Sequence, residues 1–409
     1  MSAEHDNPSR PTRTTPRDAV VVCPTEYGGQ LEHAADLALA LLEDPQADRV
    51  WLVSRPGARE YLGWGSDHPI QVVETVPPRR PQSPESKLGK LVKPVLQVAD
   101  LLREHAAVRS VAKQADGRAV LALDSTKYPL PRVLCASRNQ AVSVFVHNAQ
   151  PHFDLTNPSV RERVLLWLER SCARRSDQVI THGQDQGEIV RGYTAKPVTA
   201  VDLPVSSRLE LADAPASSAI PSTPYALCIG ELRANKGIEL AMDAAVRADI
   251  PLLVRGAAES PELSYSLARR AAAGRCVDFA DEFLSREDFN AFILNAAVIV
   301  LPYTHFDAHS GVLAKAVGAE VSVVSSDLAS LRAQAGDYPH FTAADVHDTD
   351  AFGAALRTAF DAAVSGSRDS SRQPVGEGSG HGTHAAAASA SKHQDWAPSV
   401  AAVMSAERA

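Results

Sequence analysis

The chain of 409 residues is poor in the features that would assign it to several large classes of protein. No stretch approaches the ~20 consecutive apolar residues of a membrane span, which excludes an integral helical membrane protein. Cysteines are few: Cys23, Cys135, Cys172, Cys228 and Cys276 are odd in number, isolated and without any Cys-x-x-Cys pair. A disulfide framework or zinc module has no support, and a reducing, cytoplasmic setting is expected. Aromatics make up only 5%, and no helix-turn-helix, zinc-finger or RNP-type motif occurs, so nucleic acid is not an expected partner. Residues 1–17 are polar, contain Pro8, Pro11 and Pro16, and lack an apolar core. They are expected to form a disordered tail rather than a secretory signal.

What is present is the material of a globular protein, 44% hydrophobic and 22% charged, in a length that predicts two domains. The charge is uneven. Residues 1–200 carry 25 Lys/Arg against 23 Asp/Glu, whereas residues 201–409 carry 16 against 26. The basic excess concentrates in residues 79–175, with 17 against 8, and points to an anionic partner for the first half or to a solvated basic face.

Short apolar runs alternate with longer amphipathic segments. Strands are predicted at Asp18–Cys23, Val50–Val53, Gln71–Val76, Ala119–Leu123, Val142–His147, Gln178–Thr181 and Val198–Val205. A Pro/Ser/Ala-rich stretch follows, and the alternation restarts with strands at Tyr225–Gly230, Pro251–Gly256, Val277–Ala280, Val298–Pro302 and Val321–Ser325. Continuously apolar strands separated by helices predict parallel sheets covered on both faces. The expected fold class is α/β with two doubly wound, Rossmann-like domains. They span residues 18–205 and 225–363, joined by a linker at 206–224. Residues 364–394 have almost no large apolar side chain and are expected to be disordered. Their His381, His384 and His393 read as solvated histidines before metal ligands. A terminal helix, 395–409, has Trp396, Val400, Val403 and Met404 as its apolar face.

In such sheets ligands bind beyond the C-terminal strand ends, which selects four loops. Gly28 and Gly29 follow the first strand and open a helix, a place for an anion or simply a turn. His147 ends the fifth strand, with Pro151 and His152 close behind; its imidazole suits proton transfer or a sugar hydroxyl, and equally a structural role. Gly230-Glu231-Leu232-Arg233-Ala234-Asn235-Lys236-Gly237 places Arg233 and Lys236 within reach of one diphosphate, or forms a surface turn. After Tyr303 to His309, the residues Ser310, Gly311 and Val312 start a helix whose free N–H groups can cradle a phosphate, or which Ser310 merely caps.

Taken in order, these loops resemble the family 4 glycosyltransferases of the GT-B type, over about residues 18–360 plus the terminal helix. The resemblance rests on Gly28-Gly29 followed by Glu32-His33, His147-Asn148 with Pro151-His152, the Gly230–Gly237 turn, and Asp307 before Ser310-Gly311. It implies a terminal helix crossing back to the first domain. It also implies sugar transfer, retaining and metal-independent, from a nucleotide-sugar donor (a UDP- or GDP-sugar) with no cofactor and no metal. Gly230, Arg233, Lys236, Ser310, Gly311 and Val312 would hold the donor, Gly28, Gly29 and His152 the acceptor, and His147 and Asp307 would be catalytic. Two positions depart from the family pattern. Glu231 stands where an arginine is usual. Lys315 stands where a second glutamate would accept the ribose hydroxyls. Two alternatives follow: a homologue that binds nucleotide or glycan without turnover, and a nucleotide-sugar epimerase.

The same resemblance gives the basic segment a use. Lys87, Lys90 and Lys93 flank Leu88, Leu91 and Val92. Arginines of residues 161–175 surround Leu165, Leu166, Trp167 and Leu168. Such segments can lie on anionic lipid at the inner face of the plasma membrane, near a glycan or lipid-linked acceptor of polysaccharide assembly. The competing reading makes those leucines core.

Overall fold

The computed structural model describes residues 16–76, 87–137, 139–149, 158–203, 220–306, 309–370 and 396–407. Two parallel sheets dominate it. The first holds β1 (Arg17–Val22), β2 (Ala47–Val53), β3 (Gln71–Val73), β4 (Val120–Leu123), β5 (Ala141–Val146), β6 (Gln178–His182) and β7 (Val198–Val201), in the order β3-β2-β1-β4-β5-β6-β7. The second holds β8 (Ala226–Ile229), β9 (Leu252–Gly256), β10 (Val277–Asp281), β11 (Val298–Leu301), β12 (Ser322–Ser326) and β13 (Phe341–Ala344), in the order β10-β9-β8-β11-β12-β13. The chain therefore reverses direction across the sheet at β1/β4 and again at β8/β11, and those two points are where a doubly wound sheet opens a crevice.

Burial of both faces explains why the strands read as unbroken apolar runs. Along β1, Ala19 and Val21 enter one core while Val20 and Val22 enter the core on the opposite face. Ala226 and Cys228 of β8 alternate in the same way with Leu227 and Ile229. Each such side chain, when fully buried, contributes roughly 1.5–3 kcal/mol of transfer free energy.

Helices cover both sheets: α1 (Gly29–Glu43), α2 (Ala58–Leu62), α3 (Lys87–Ala112), α4 (Pro131–Leu134), α5 (Val160–Arg175) and α6 (Gln184–Arg191) in the first half, and α7 (Ile238–Ala248), α8 (Pro261–Ala273), α9 (Arg286–Asn295), α10 (Gly311–Gly318), α11 (Ala329–Ala335) and α12 (Thr349–Ser370) in the second. Their starts follow ordinary capping chemistry. Ser159 and Glu162 form a reciprocal capping box on α5, and Ser260 with Pro261 opens α8. α13 (Ala397–Ser405) returns to the first half, where Trp396, Val400, Val403 and Met404 are all buried beside Ala19 and Leu31. Arg17 fastens its end by donating to the carbonyls of Met404 and Ala406.

Every predicted strand is found. β3 and β7 stop earlier than their apolar runs, and β13 with α11 completes the second sheet beyond Ser325, where no element was predicted. α12 runs on to Ser370, into the stretch expected to be disordered from 364 onward; residues 371–395, with the three tail histidines, lie outside the described residues. All five cysteines are free thiols.

Candidate functional site

The two switch points face each other. Across the gap between the halves, Lys315 Nζ of α10 lies 2.7 Å from Glu32 Oε2 of α1, and the rings of Tyr27 and Phe283 meet edge to face at 4.7 Å. Arg286 of α9 also reaches the Leu62 carbonyl at 3.4 Å. The cleft is thus lined by the residues that follow β1, β4, β5 and β6 on one side and β8 and β11 on the other.

On the second side the sequence brings backbone close to backbone. Gly256 ends β9 at φ 144°, and a Cβ there would stand 1.8 Å from the Gly230 carbonyl oxygen. Gly237, at φ 59°, would place a Cβ 2.0 Å from the Pro302 carbonyl oxygen. Only glycine permits these approaches, and they press the Gly230–Gly237 loop against the strand end after β11. Thr304 N–H donates to the Asn235 carbonyl at 2.9 Å and Asn235 Nδ2 donates to the His305 carbonyl at 3.1 Å, tying the two loops together.

Gly230, Lys236 and Val312 converge: a Cβ on Gly230 would lie 3.5 Å from Lys236 Nζ and 3.8 Å from a Val312 methyl. The Lys236 ammonium also sits over the Tyr303 ring at 5.6 Å and forms no ion pair among the described residues. At the start of α10, Ser310 Oγ accepts from Leu313 N–H at 3.3 Å and lies 3.3 Å from Tyr303 Oη, while Ser310 N–H donates to Gln334 Oε1 at 2.6 Å. The groups of that turn left to face an anion are the amides of Gly311 and Val312. Arg233 does not join them; its guanidinium pairs with Glu231 at 2.5 Å, both side chains exposed. The carboxylate that stands where an arginine is usual is thus occupied by Arg233, which was expected to reach the diphosphate.

Lys315, the other departure, is buried and accounted for. It donates to Asn290 Oδ1 at 2.9 Å, sits 4.9 Å from the Phe289 ring centre, and pairs with Glu32, which also accepts from Tyr61 Oη at 2.9 Å. Burial alone would raise the Glu32 carboxyl, but the Lys315 charge and the Lys315 and Tyr61 hydrogen bonds outweigh it and hold it below the usual carboxylate range. A residue expected at the nucleoside instead ties the second half to the first.

On the first side, Gly28 takes φ 87° before α1, and a Cβ at Gly28 or Gly29 would meet nothing within 4 Å, so this loop lies open. Behind it is a constellation of which the sequence had singled out His147 as a site residue and His33 only as part of a motif. Asp124, fully buried just after β4, accepts from His147 Nε2 at 2.5 Å. His33 Nδ1 stands 3.0 Å from the same oxygen without an aligned hydrogen bond. His182, the last residue of β6, closes the group: its ring centre is 5.0 Å from that of His33 and 5.3 Å from that of His147. Trp396 of the returning chain packs 5.1 Å from the His33 ring, and His309 approaches His182 from the second half at 6.4 Å.

Burial would depress His147, but the Asp124 carboxylate wins and raises it above its ordinary value. His182 is driven well below its ordinary value, first by burial and then by the neighbouring imidazoles. Asp124 is held far below the carboxylate range by the His147 and His33 rings, against its own burial. Of the residues named from the sequence, His147, Gly28, Gly29, Gly230, Lys236, Ser310, Gly311 and Val312 all lie at the cleft. Asp307 and His152 fall outside the described residues. Asp124 and His182 were missed, although both sit at C-terminal strand ends, the rule that selected His147.

No protein-family model matches the sequence, and no curated protein is similar to it. Solved structures are. Sucrose-phosphate synthase from Thermosynechococcus elongatus superposes with a TM-score of 0.59 at 15% identity, over 87% of this chain and 98% of the other. HepE from Anabaena in complex with UDP-glucose gives 0.60 at 14%, over 95% and 97%. A trehalose-6-phosphate protein from E. coli bound with UDP-2-fluoro glucose gives 0.59 at 12%, over 94% and 96%. At this identity the likeness speaks for architecture, and with the two parallel sheets, their switch points and the returning α13 it establishes that the chain has the GT-B fold.

Proposed function

We propose that the protein transfers a sugar from a nucleotide-sugar donor to a glycan or lipid-linked acceptor, with retention of configuration. The observation that carries this reading is the convergence of Gly230, Lys236, Val312 and the first turn of α10 on one point of the cleft. A leaving nucleoside diphosphate gathers negative charge, and a preorganised ammonium with two backbone amides stabilises that charge where it develops. That side therefore needs no divalent ion. Structures with this fold are described with UDP, UDP-glucose and UDP-2-fluoro glucose, which favours a UDP-sugar over a GDP-sugar as the donor.

His147 faces the same cleft from the first sheet with 30% of its side chain exposed, positioned by Asp124 to hydrogen-bond a sugar hydroxyl through its other ring nitrogen. Gly28 and Gly29 leave the room an acceptor requires. Asp307 and His152 retain their proposed roles, carboxylate near the reacting sugar and acceptor contact.

We also propose that the first half docks on anionic membrane. Val98 and Leu102 of α3, Val133 of α4, and Val164, Leu165 and Trp167 of α5 are exposed, amid the basic excess of residues 79–175. Exposure of Leu165 and Trp167, with Leu166 and Leu168 half-buried, favours lipid contact over a purely core role. No helix among the described residues is long and apolar enough to cross a membrane.

One observation favours the alternative of a nucleotide- or glycan-binding module without turnover: Lys315 is engaged with Glu32 and Arg233 with Glu231. A melting-temperature and calorimetric screen against UDP, GDP, ADP and their sugar conjugates separates the readings. Stabilisation by one nucleotide, lost in Lys236→Ala, with slow hydrolysis of its sugar conjugate, supports transfer. Stabilisation without any turnover supports the binding module, and no stabilisation by any nucleotide overturns both.

A further inference from the structure

Sugar transfer as proposed uses His147 of the buried constellation on the first sheet, with Asp124 positioning it. His33 and His182 have no part in it, yet all of these groups are costly to bury. His182 is 1% exposed with both ring nitrogens unpartnered, His33 is buried with neither nitrogen in a hydrogen bond, and Asp124 Oδ2 is likewise without one. Buried polar atoms in a native protein ordinarily find partners, and five orphans at one point call for a missing one.

Four of these orphans are imidazole nitrogens, and the ring of His147 stands beside them. His33, His147 and His182 each offer a ring nitrogen, and the three nitrogens lie within 4.8 Å of one another. They come from different elements, α1, the end of β5 and the end of β6, which the sheet order brings to one edge. The carboxylate behind them touches His147 at 2.5 Å and His33 at 3.0 Å. It makes no ion pair with a lysine or arginine among the described residues. A carboxylate backing ligand imidazoles is the usual outer-shell partner of a metal-bound histidine, fixing the ring and supplying counter-charge.

We propose that His33, His147 and His182 bind one divalent transition-metal ion, zinc by its ligand chemistry, with Asp124 as the orienting carboxylate. Three neutral imidazoles suit zinc, which is bound at Zn–N distances of about 2.0–2.1 Å in a tetrahedral site. Tetrahedral placement sets ligand nitrogens roughly 3.4 Å apart, so the rings close inward by about 1 Å on the ion. Three protein ligands leave the fourth position open to water or to an oxygen of a ligand in the cleft. The site lies on the first sheet, apart from Lys236 and α10, so it adds no ion to the diphosphate; it shares only His147 and its positioning carboxylate with the sugar-transfer reading, and a sugar hydroxyl would then meet the open fourth position instead of a free ring nitrogen of His147.

The test uses the full chain, stripped of metal with chelator and dialysed. Zn2+ alone is titrated by calorimetry, and Co2+ alone is followed by the visible absorption that distinguishes tetrahedral from octahedral coordination. Binding of one equivalent with a tetrahedral Co2+ spectrum is expected. His33→Gln and His182→Gln should each weaken Zn2+ binding by at least about 100-fold, and Asp124→Asn by about 10–100-fold without changing the stoichiometry. Substituting His381, His384 and His393 together by serine, or Lys236 by alanine, should leave the metal affinity unchanged. Where the buried variants fail to give a cooperative melt, His147→Gln, at the most exposed of the three rings, takes their place. Failure of the wild type to bind Zn2+ overturns the proposal, as does an octahedral Co2+ spectrum, undiminished binding in the histidine variants, or loss of binding with the tail histidines. Loss of nucleotide binding in Lys236→Ala with metal binding intact tests the donor reading separately.

Discussion

At the C-terminal edge of the first sheet the groups that face the cleft are side chains, imidazoles around one buried carboxylate; at the matching edge of the second they are backbone amides, close glycines and, among the described residues, a single unpaired ammonium. Both edges belong to the same kind of switch point, made by the same winding. The difference lies in what each half can recognise. Amides and glycines at a helix start make a shape-tolerant cradle for an anion. A histidine cluster around Asp124 offers directional ring nitrogens instead, with the His147 ring oriented by its bond to the carboxylate. Lys315 and Glu32 join the two, one residue from each side, so the edges are positioned relative to each other by a buried ion pair.

The largest effect expected from breaking this comparison is at Lys236. Among the described residues it is the one side-chain charge of the backbone-built edge that is not already paired, so Lys236→Ala should lower turnover by about 10³-fold, in line with removal of one preorganised electrostatic donor. Its metal-free stability should change little, since the ammonium forms no ion pair among the described residues. Steady-state kinetics and a melt together check this, and an equal loss in both would make Lys236 a structural residue.

Next comes the joint between the halves. Glu32→Gln leaves the Lys315 charge buried without its partner and should cost about 3 kcal/mol of unfolding free energy, read by denaturant titration. Glu32→Gln combined with Lys315→Met removes both charges and should recover most of that loss. The pH dependence has a definite sign. Because the folded Glu32 carboxyl is depressed, its contribution is present above the ordinary carboxylate pKa and disappears as pH falls through the folded value. The acid limb of stability should therefore be shallower in Glu32→Gln, though not flat, because Asp124 is depressed in the same direction.

A smaller effect separates the halves by surface. Trp167 is 55% exposed on α5 of the basic first half, whereas the second half carries the acidic excess. Trp167→Asp should weaken binding to anionic vesicles at low salt by about tenfold. Co-sedimentation measures it, and wild type that does not sediment at all would end the docking proposal.

How much of this was legible beforehand differs between the two edges for a physical reason. The second edge is local: Gly230 to Gly237 and Tyr303 to Val312 are each one contiguous strand-to-helix turn, so the chain itself spells the anion cradle. The first edge is assembled from α1, β4, β5 and β6, whose contributions His33, Asp124, His147 and His182 are up to 149 positions apart, and no local spacing marks them as one cluster. The doubly wound fold and the terminal helix were readable from continuous apolar runs and from Trp396, Val400, Val403 and Met404, whereas the helix's return to the first half was implied only by the resemblance. The partners of Lys315 and Arg233 were not, because an ion pair depends on where two side chains meet. The missing glutamate at 315 read as a damaged nucleoside site, whereas Lys315 is a cross-domain contact to Glu32, three residues beyond Gly29 in the very helix that the glycine loop opens.

The smallest effect is the most discriminating about what the second edge is made of. Ser310 Oγ is already engaged with Leu313 N–H and Tyr303 Oη, and Ser310 N–H with Gln334. If the cradle is backbone, Ser310→Ala costs a helix cap, about 1 kcal/mol of stability, and weakens the selected nucleotide less than tenfold. Gly311 and Val312 amides would still point at the anion. A loss of affinity much larger than the loss of stability would mean that the hydroxyl leaves its capping bond to serve the ligand. The second edge would then resemble the first, reading its ligand through side chains.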